Sequence, residues 1–243
     1  MTGLLRRNMV FITLSLMLLV ALGFALLCIP KGELHLLLCD RHTPMRDIFY
    51  RYYTRGAEWL PYVVCILLIV FARMGDGLFA ATGLILSGLT TQLLKHIVNA
   101  PRPVTWFAAN MPDVQLPLTP GVQMNLWFSF PSGHTTSFFA LAFALSVIAT
   151  GQMEHTRDGI VSGKSGTSGT TARSALLQTA LWGLAAWGGY SRIYLSQHFT
   201  ADVFAGIITG LGVTALAYLL YSRFENRNWY NYRLIKRNTL NTV

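Results

Sequence analysis

The sequence predicts an all-α membrane protein whose chain crosses the bilayer six times. Two observations carry that reading. Of the 243 residues, 53% are hydrophobic and only 12% are charged, and the mean hydropathy of +0.44 is not that of an ordinary water-soluble domain. The apolar residues also fall into six runs, roughly 9–29, 58–74, 77–98, 133–150, 174–194 and 201–222. Each is close to the about 20 residues that a helix needs to span the hydrocarbon core. A helix is the form such a run takes, because lipid offers its backbone groups no other hydrogen-bond partner.

The first run follows Arg6 and Arg7 and so imitates a signal peptide. It is too long for a typical one and lacks a small-x-small cleavage site, so it reads as a retained span. The connection 30–57 holds ELHLLLCDRHTPMRDIFYRYYTRGA, in which apolar and basic positions alternate with tyrosines; it reads as a helix lying in the membrane interface. ARMGDG, between the second and third runs, predicts a tight turn with Gly75 and Gly77 as breakers. Residues 159–171, GIVSGKSGTSGTT, read as a flexible loop. No internal repeat or second domain is visible, so residues 1–243 read as one membrane domain.

The formal net charge of +9 has no basic stripe or RNA-binding signature beside it, which argues against a nucleic-acid partner. It fits loops rich in Lys and Arg on one side of a membrane. With six spans, one side holds Arg6, Arg7, Arg73, Arg157, Lys164, Arg173, Arg223, Arg227, Arg233, Lys236 and Arg237. The other holds Lys31, Arg41, Arg46, Arg51, Arg55, Lys95, Arg102 and Arg192. The larger set predicts that both termini are cytoplasmic. The tail with Trp229, Tyr230 and Tyr232 reads either as a contact for anionic headgroups or as a topology signal. Of the three cysteines, Cys65 reads as a small buried hydrophobe, while pairing of Cys28 with Cys39 is left open. No Cys/His spacing suggests a metal site.

Six spans place the connections 30–57, 99–132 and 195–200 on one face, where distant residues can meet. KHIVNAPRP brings Lys95 and Arg102, FPSGHTT brings Ser132, Gly133 and His134, and SRIYLSQHFTAD brings Arg192, His198 and Asp202. Ionisable groups at the edge of hydrocarbon are costly and by default functional. Three converging cations suit a phosphate, and two of them are arginines, which bind its oxygens bidentately. Pro131 followed by Ser132 and Gly133 at a helix start turns backbone N–H groups and the helix dipole toward an anion. His198 and Asp202, spaced i and i+4, share a face at a helix start; the carboxylate can then fix the imidazole tautomer while the other ring nitrogen attacks. His134 is left to protonate the departing oxygen. No cofactor or metal is needed.

These three stretches resemble the tripartite signature of the type 2 phosphatidic acid phosphatase (PAP2) superfamily, K-x6-R-P, P-S-G-H and S-R-x5-H-x3-D. The matching residues are Lys95, Arg102 and Pro103; Pro131, Ser132, Gly133 and His134; and Ser191, Arg192, His198 and Asp202. The resemblance implies a PAP2-type helical core and metal-independent phosphoryl transfer. It implies that His198 forms a phosphohistidine with Asp202 as its partner, and that His134 protonates the leaving oxygen. Lys95, Arg102, Arg192, Ser132 and Gly133 would hold the phosphoryl oxygens. It further implies a bacterial inner-membrane enzyme facing the periplasm, acting on a lipid phosphomonoester or diphosphate: undecaprenyl diphosphate, lipid A or phosphatidylglycerol phosphate. Phosphotransfer from the same phosphohistidine to a lipid is an alternative. A transporter is disfavoured because the ionisable groups cluster at one end of the spans. Residues 104–130 are expected to lie over the site and shape lipid selection. The oligomeric state is not legible.

Overall fold

The computed structural model describes residues 2–160 and 172–235. The helices run α1 (Thr2–Arg7), α2 (Met9–Cys28), α3 (Lys31–Cys39), α4 (Pro44–Tyr53), α5 (Gly56–Phe71), α6 (Met74–Val98), α7 (Pro103–Asn110), α8 (Gly133–Ile160), α9 (Ala172–Tyr194), α10 (Thr200–Tyr221) and α11 (Asn228–Asn231). The described residues contain no strand. All-α architecture therefore holds, and the six runs correspond to α2, α5, α6, α8, α9 and α10. Among the described residues, five stretches are long and apolar enough to cross a membrane: Met9–Cys28, Pro44–Phe71, Met74–Asn110, Gly133–Gly151 and Thr200–Phe224.

Helix α9 is long enough at 23 residues, but it buries Ser174, Gln178, Ser191 and Arg192, which dilutes its apolarity. It can carry them because it packs against α8, α2, α10, α3 and α4. Gln178 shows how such a group is satisfied. Its Oε1 accepts from Phe11 N at 3.1 Å and its Nε2 donates to the Arg7 carbonyl at 2.9 Å, so it serves one of the orphan donors at the start of α2.

Helix α8 is the centre of the bundle, packing against α9, α10, α6 and α5, with Phe139, Ala140 and Ala144 fully buried. Close packing on it depends on glycines, as expected where helix association cannot rely on hydrophobic exclusion. A Cβ on Gly210 would lie 2.7 Å from the Thr136 carbonyl, and one on Gly206 2.8 Å from the Ser132 carbonyl. Gly188 of α9 lies against the Phe138 ring.

Three expectations are corrected. Gly75 and Gly77 are not breakers: both lie inside α6, and the turn is only Ala72 and Arg73. They are close-approach positions, Gly77 against the Ile69 backbone and Gly75 against the Tyr230 ring. The connection 30–57 forms two helices, not one, because the chain stops at Asp40–Thr43 and restarts with Thr43 Oγ1 accepting from Arg46 N at 3.3 Å and Pro44 as the first helical residue. Helix α8 runs ten residues past the expected span to Ile160; the rest of the expected 159–171 loop lies outside the described residues. All three cysteines are free, Cys28 exposed and Cys39 and Cys65 buried.

The ends of the bundle sort as the six-span parity requires. Leu4, Arg73, Asp76, Gly151, Glu225 and Tyr230 line one small cavity, so the N-terminal segment, the 72–73 turn and the C-terminal segment share one end. At the other end His35 meets Ser196 and Arg102 meets Gln197.

Gly210→Ala should destabilise the fold, since the added methyl meets backbone on α8; overpacking of this kind costs about 1–3 kcal/mol. Gly183→Ala, whose Cβ would meet nothing within 4 Å, is the control. Thermal unfolding in detergent should show a lower midpoint for the first variant and none for the second.

Candidate active site

His198 lies in the turn between α9 and α10. The turn is made by Ser196 at φ +50°, and by the Gln197 and His198 amides, which both donate to the Arg192 carbonyl at 3.0 and 3.1 Å. That closes the end of α9 and drives the imidazole inward, where the residue is 1% exposed. Its Nδ1 stands 3.4 Å from Asp202 Oδ2. The pair forms, but not by sharing a helical face: His198 precedes Thr200, the first residue of α10, so the turn and not the helix sets its direction.

Asp202 is fixed independently of the histidine. Its Oδ2 accepts from Phe199 N at 2.9 Å and from the Ser129 hydroxyl, and its own carbonyl accepts from Ser132 N at 2.9 Å. Burial pushes the His198 pKa down to about 3, against the pull of Asp202, so the ring is neutral. A neutral ring facing a carboxylate through Nδ1 carries its proton there, leaving the lone pair on Nε2.

The other expected residues converge on the same place. Lys95, near the end of α6, donates to the Phe128 carbonyl. Arg102 donates from Nε to the Trp127 carbonyl at 3.0 Å and from Nη1 to Gln197 Oε1 at 3.0 Å. Arg192, 6% exposed, donates from Nη1 to Thr54 Oγ1 at 2.6 Å, while its Nε has no partner. Lys95, Arg102, Arg192 and His198 all lie within electrostatic reach of His134. Among the described residues no carboxylate pairs with any of the three cations. A Cβ on Gly133 would make only ordinary contacts, 3.6 Å to Thr91 and 4.0 Å to Lys95, so space above it remains. Ser132 is turned differently from expectation: its Oγ accepts from Thr135 Oγ1 at 2.9 Å and Thr135 N at 3.4 Å, capping α8.

Sequence reasoning missed four partners. Glu58 of α5 has Oε1 3.3 Å from His134 Nε2; an acid in the first turn of an apolar run was the available signal. Thr54, Ser129 and Gln197 carried none, because hydroxyls and amides in loops have no distinguishing spacing. The stretch 104–130 begins with α7 and then runs without regular structure. It is tied to the site by Arg102 N to the Leu126 carbonyl at 2.9 Å, Gln197 Nε2 to the Gln123 carbonyl at 3.1 Å and Ser196 Oγ to the Pro117 carbonyl at 2.9 Å.

Comparison with known proteins places the chain in a family. The family model of the PAP2 superfamily matches residues 76–226. The chain is 29% identical over 63% of its length to the Schizosaccharomyces pombe protein named "Probable diacylglycerol pyrophosphate phosphatase 1", of which it spans only about half, 54%. It is 25% identical to the lipid A 4'-phosphatase of Porphyromonas gingivalis over 81% of this chain and 75% of that one. Among solved structures, Aquifex aeolicus LpxE superposes with a TM-score of 0.56 at 25% identity, covering 77% of this chain and 93% of that one. The transmembrane PAP2-type phosphatidylglycerolphosphate phosphatase of Bacillus subtilis shares the fold, with a TM-score of 0.60 at 20% identity over 92% of this chain and 99% of that one. Matched by its family model over more than half its length, this all-helical membrane protein belongs to the PAP2 superfamily, the relatives named above being phosphatases.

Proposed function

We propose that the chain is a metal-independent membrane lipid phosphatase that hydrolyses a lipid phosphomonoester or diphosphate through a phosphohistidine. The observation that carries this reading is a neutral, buried His198 facing Asp202 at 3.4 Å, beside three cations with no carboxylate partner among the described residues. In this reading Nε2 of His198 attacks phosphorus. Asp202 holds the ring and stabilises the imidazolium character that develops as the P–N bond forms. Lys95, Arg102 and Arg192 hold the phosphoryl oxygens and offset the charge that concentrates there in the transition state, with the start of α8 at Ser132 and Gly133 adding its backbone dipole. His134, oriented by Glu58 at 3.3 Å, gives a proton to the departing oxygen. Water then attacks the phosphohistidine. The charge asymmetry of the loops supports cytoplasmic termini and a site on the opposite, periplasmic face of a bacterial inner membrane, reached by lipid moving laterally. The connection 104–130, tied to the site through Gln123, Leu126 and Trp127, is the segment we assign to lipid selection.

Phosphate release by purified protein in detergent with EDTA, on undecaprenyl diphosphate, lipid A and phosphatidylglycerol phosphate, tests the reading. Wild type should release phosphate from at least one of them. His198→Ala should fall to background, and His134→Ala should lose roughly 10²-fold or more in kcat. Equal inactivity of wild type and His198→Ala on every lipid would sink the proposal.

A second expectation concerns pH. Because the folded pKa of His198 is lowered to about 3, the ring stays neutral as pH falls through the ordinary value near 6.5. Below that value the unfolded chain binds the proton first, so the stability this residue contributes is lost progressively between about 6.5 and about 3. The side-chain 15N shifts of His198, assigned against His198→Gln, should remain those of a neutral ring from pH 8 to pH 5. A titration centred near 6.5 would contradict the buried geometry.

A further inference from the structure

Helix α3 lies outside the family match at 76–226, yet it docks beside the catalytic turn. Its fixation is specific. His35 is fully buried, with Nε2 3.3 Å from Ser196 Oγ and its ring 5.1 Å from Phe199 and 5.7 Å from Phe107. Gly32 lies against Met111 and Trp106, where a Cβ would come within 2.7 Å of the Met111 sulfur. The first residue of this helix, Lys31, is thereby placed with its ammonium 3.9 Å from the centroid of the Phe199 ring and 5.2 Å from that of Trp106. Phe199 is the residue next to His198.

A lysine at a helix start commonly extends into water. This one stands over two aromatic faces, and among the described residues no hydrogen bond or ion pair engages its ammonium. Desolvation lowers its pKa, with Asp202 acting in the opposite sense, which marks how near it is to the reacting groups. Three N–H donors are thus held at the edge of the site without an acceptor. Lys95, Arg102 and Arg192 are the cations assigned above to one phosphoryl group, and Lys31, beside Phe199, is a fourth that this assignment does not use.

We propose that Lys31 is a specificity-determining residue that binds the inner phosphate of a lipid diphosphate, so that the chain prefers pyrophosphate-linked lipids to the matching monophosphates. This rests on the phosphatase reading above and adds its substrate class. When His198 Nε2 attacks the terminal phosphorus, the bond from that phosphorus to the bridging oxygen breaks. Its electron pair stays on that oxygen, which leaves as part of the lipid monophosphate. Water then cleaves the P–N bond, releasing inorganic phosphate and restoring the ring. The growing negative charge lies on the inner phosphate, where an ammonium over Phe199 can meet it, and an interaction that strengthens toward the transition state accelerates the step. From a monophosphate the leaving group is the lipid alkoxide, which takes a proton as the P–O bond breaks, so no second phosphate is present for Lys31 to bind.

The experiment compares farnesyl diphosphate with farnesyl monophosphate, on one protein in one detergent, for wild type, Lys31→Met and Lys31→Arg. Methionine keeps an unbranched apolar chain on the rings, and the ratio of the two kcat/KM values does not depend on the folded fraction. Wild type should prefer the diphosphate. Lys31→Met should lower the diphosphate-to-monophosphate ratio tenfold or more, and Lys31→Arg should restore most of it. An unchanged ratio in Lys31→Met, a parallel fall on both lipids, or a wild-type preference for the monophosphate would overturn the assignment while leaving the phosphatase reading intact. Wild type inactive on both farnesyl lipids but active on lipid A or phosphatidylglycerol phosphate would overturn this inference alone; inactivity on those as well would count against the phosphatase reading itself.

Discussion

The carboxylate of Asp202 is the contact on which the site depends. It sits at the third residue of α10, where a helix has backbone donors without partners, and it takes the Phe199 amide as its own. The same oxygen receives the Ser129 hydroxyl and faces His198, while the Asp202 carbonyl takes the Ser132 amide. One residue therefore joins the 104–130 connection, the start of α8 and the turn before α10. The start of α8 and the turn before α10 carry parts of the signature, and Ser129 ties the connection to them. A carboxylate already held by two donors is also a rigid partner for an imidazole, so the His198 tautomer follows from the helix cap.

The two ends of the bundle treat buried polarity in opposite ways. At the end holding the chain termini, the groups satisfy one another. Arg73 forks onto Asp76 at 2.9 and 3.0 Å, Tyr230 donates to the same carboxylate, and Asn8 Oδ1 accepts from Ser146 at 2.6 Å. At the other end three cations are gathered with carbonyls, a hydroxyl and an amide for company, and no carboxylate among the described residues pairs with them. Gathering like charges in a desolvated place costs stability. The arrangement makes sense as a site completed by an anion, which recovers that cost on binding. It also explains why the cations lie at helix ends: there, loop carbonyls such as those of Phe128 and Trp127 are available to hold them when the anion is absent.

What the sequence made legible follows from what is periodic or charged. The apolar runs gave the helices, and parity gave the common face, because a span count needs only length and composition. The convergence of Lys95, Arg102, His134, Arg192, His198 and Asp202 was readable for the same reason. The details that failed depend on contacts between distant segments. Gly75 and Gly77 look like breakers in a string, yet their role is set by Tyr230 and Ile69, which only the fold brings near. The direction of the His198 ring comes from two amides returning to the Arg192 carbonyl, a geometry that i, i+4 spacing imitates but does not describe. Ser129, Thr54 and Gln197 are ordinary loop residues until the residues they serve are in place.

The family match begins at residue 76, yet the site does not. Thr54 bonds Arg192, Glu58 faces His134, and Lys31 and His35 flank Phe199; Lys31, His35 and Thr54 lie between α2 and α5, and Glu58 in the first turn of α5. The division has a chemical logic. In the proposed reading, attack on phosphorus needs the same groups whatever lipid carries the phosphate, and Arg192 and Asp202 stand on α9 and α10, which glycines bring close to α8. Recognition of what departs has to differ from one substrate to the next. It is therefore suited to short helices such as α3 and α4, which sit on the bundle and can change without disturbing its centre. Thr54 at the end of α4 bonds Arg192, and Glu58 at the start of α5 faces His134, so in the proposed reading a change in the outer layer is transmitted to a cation and to the proton donor through those two contacts.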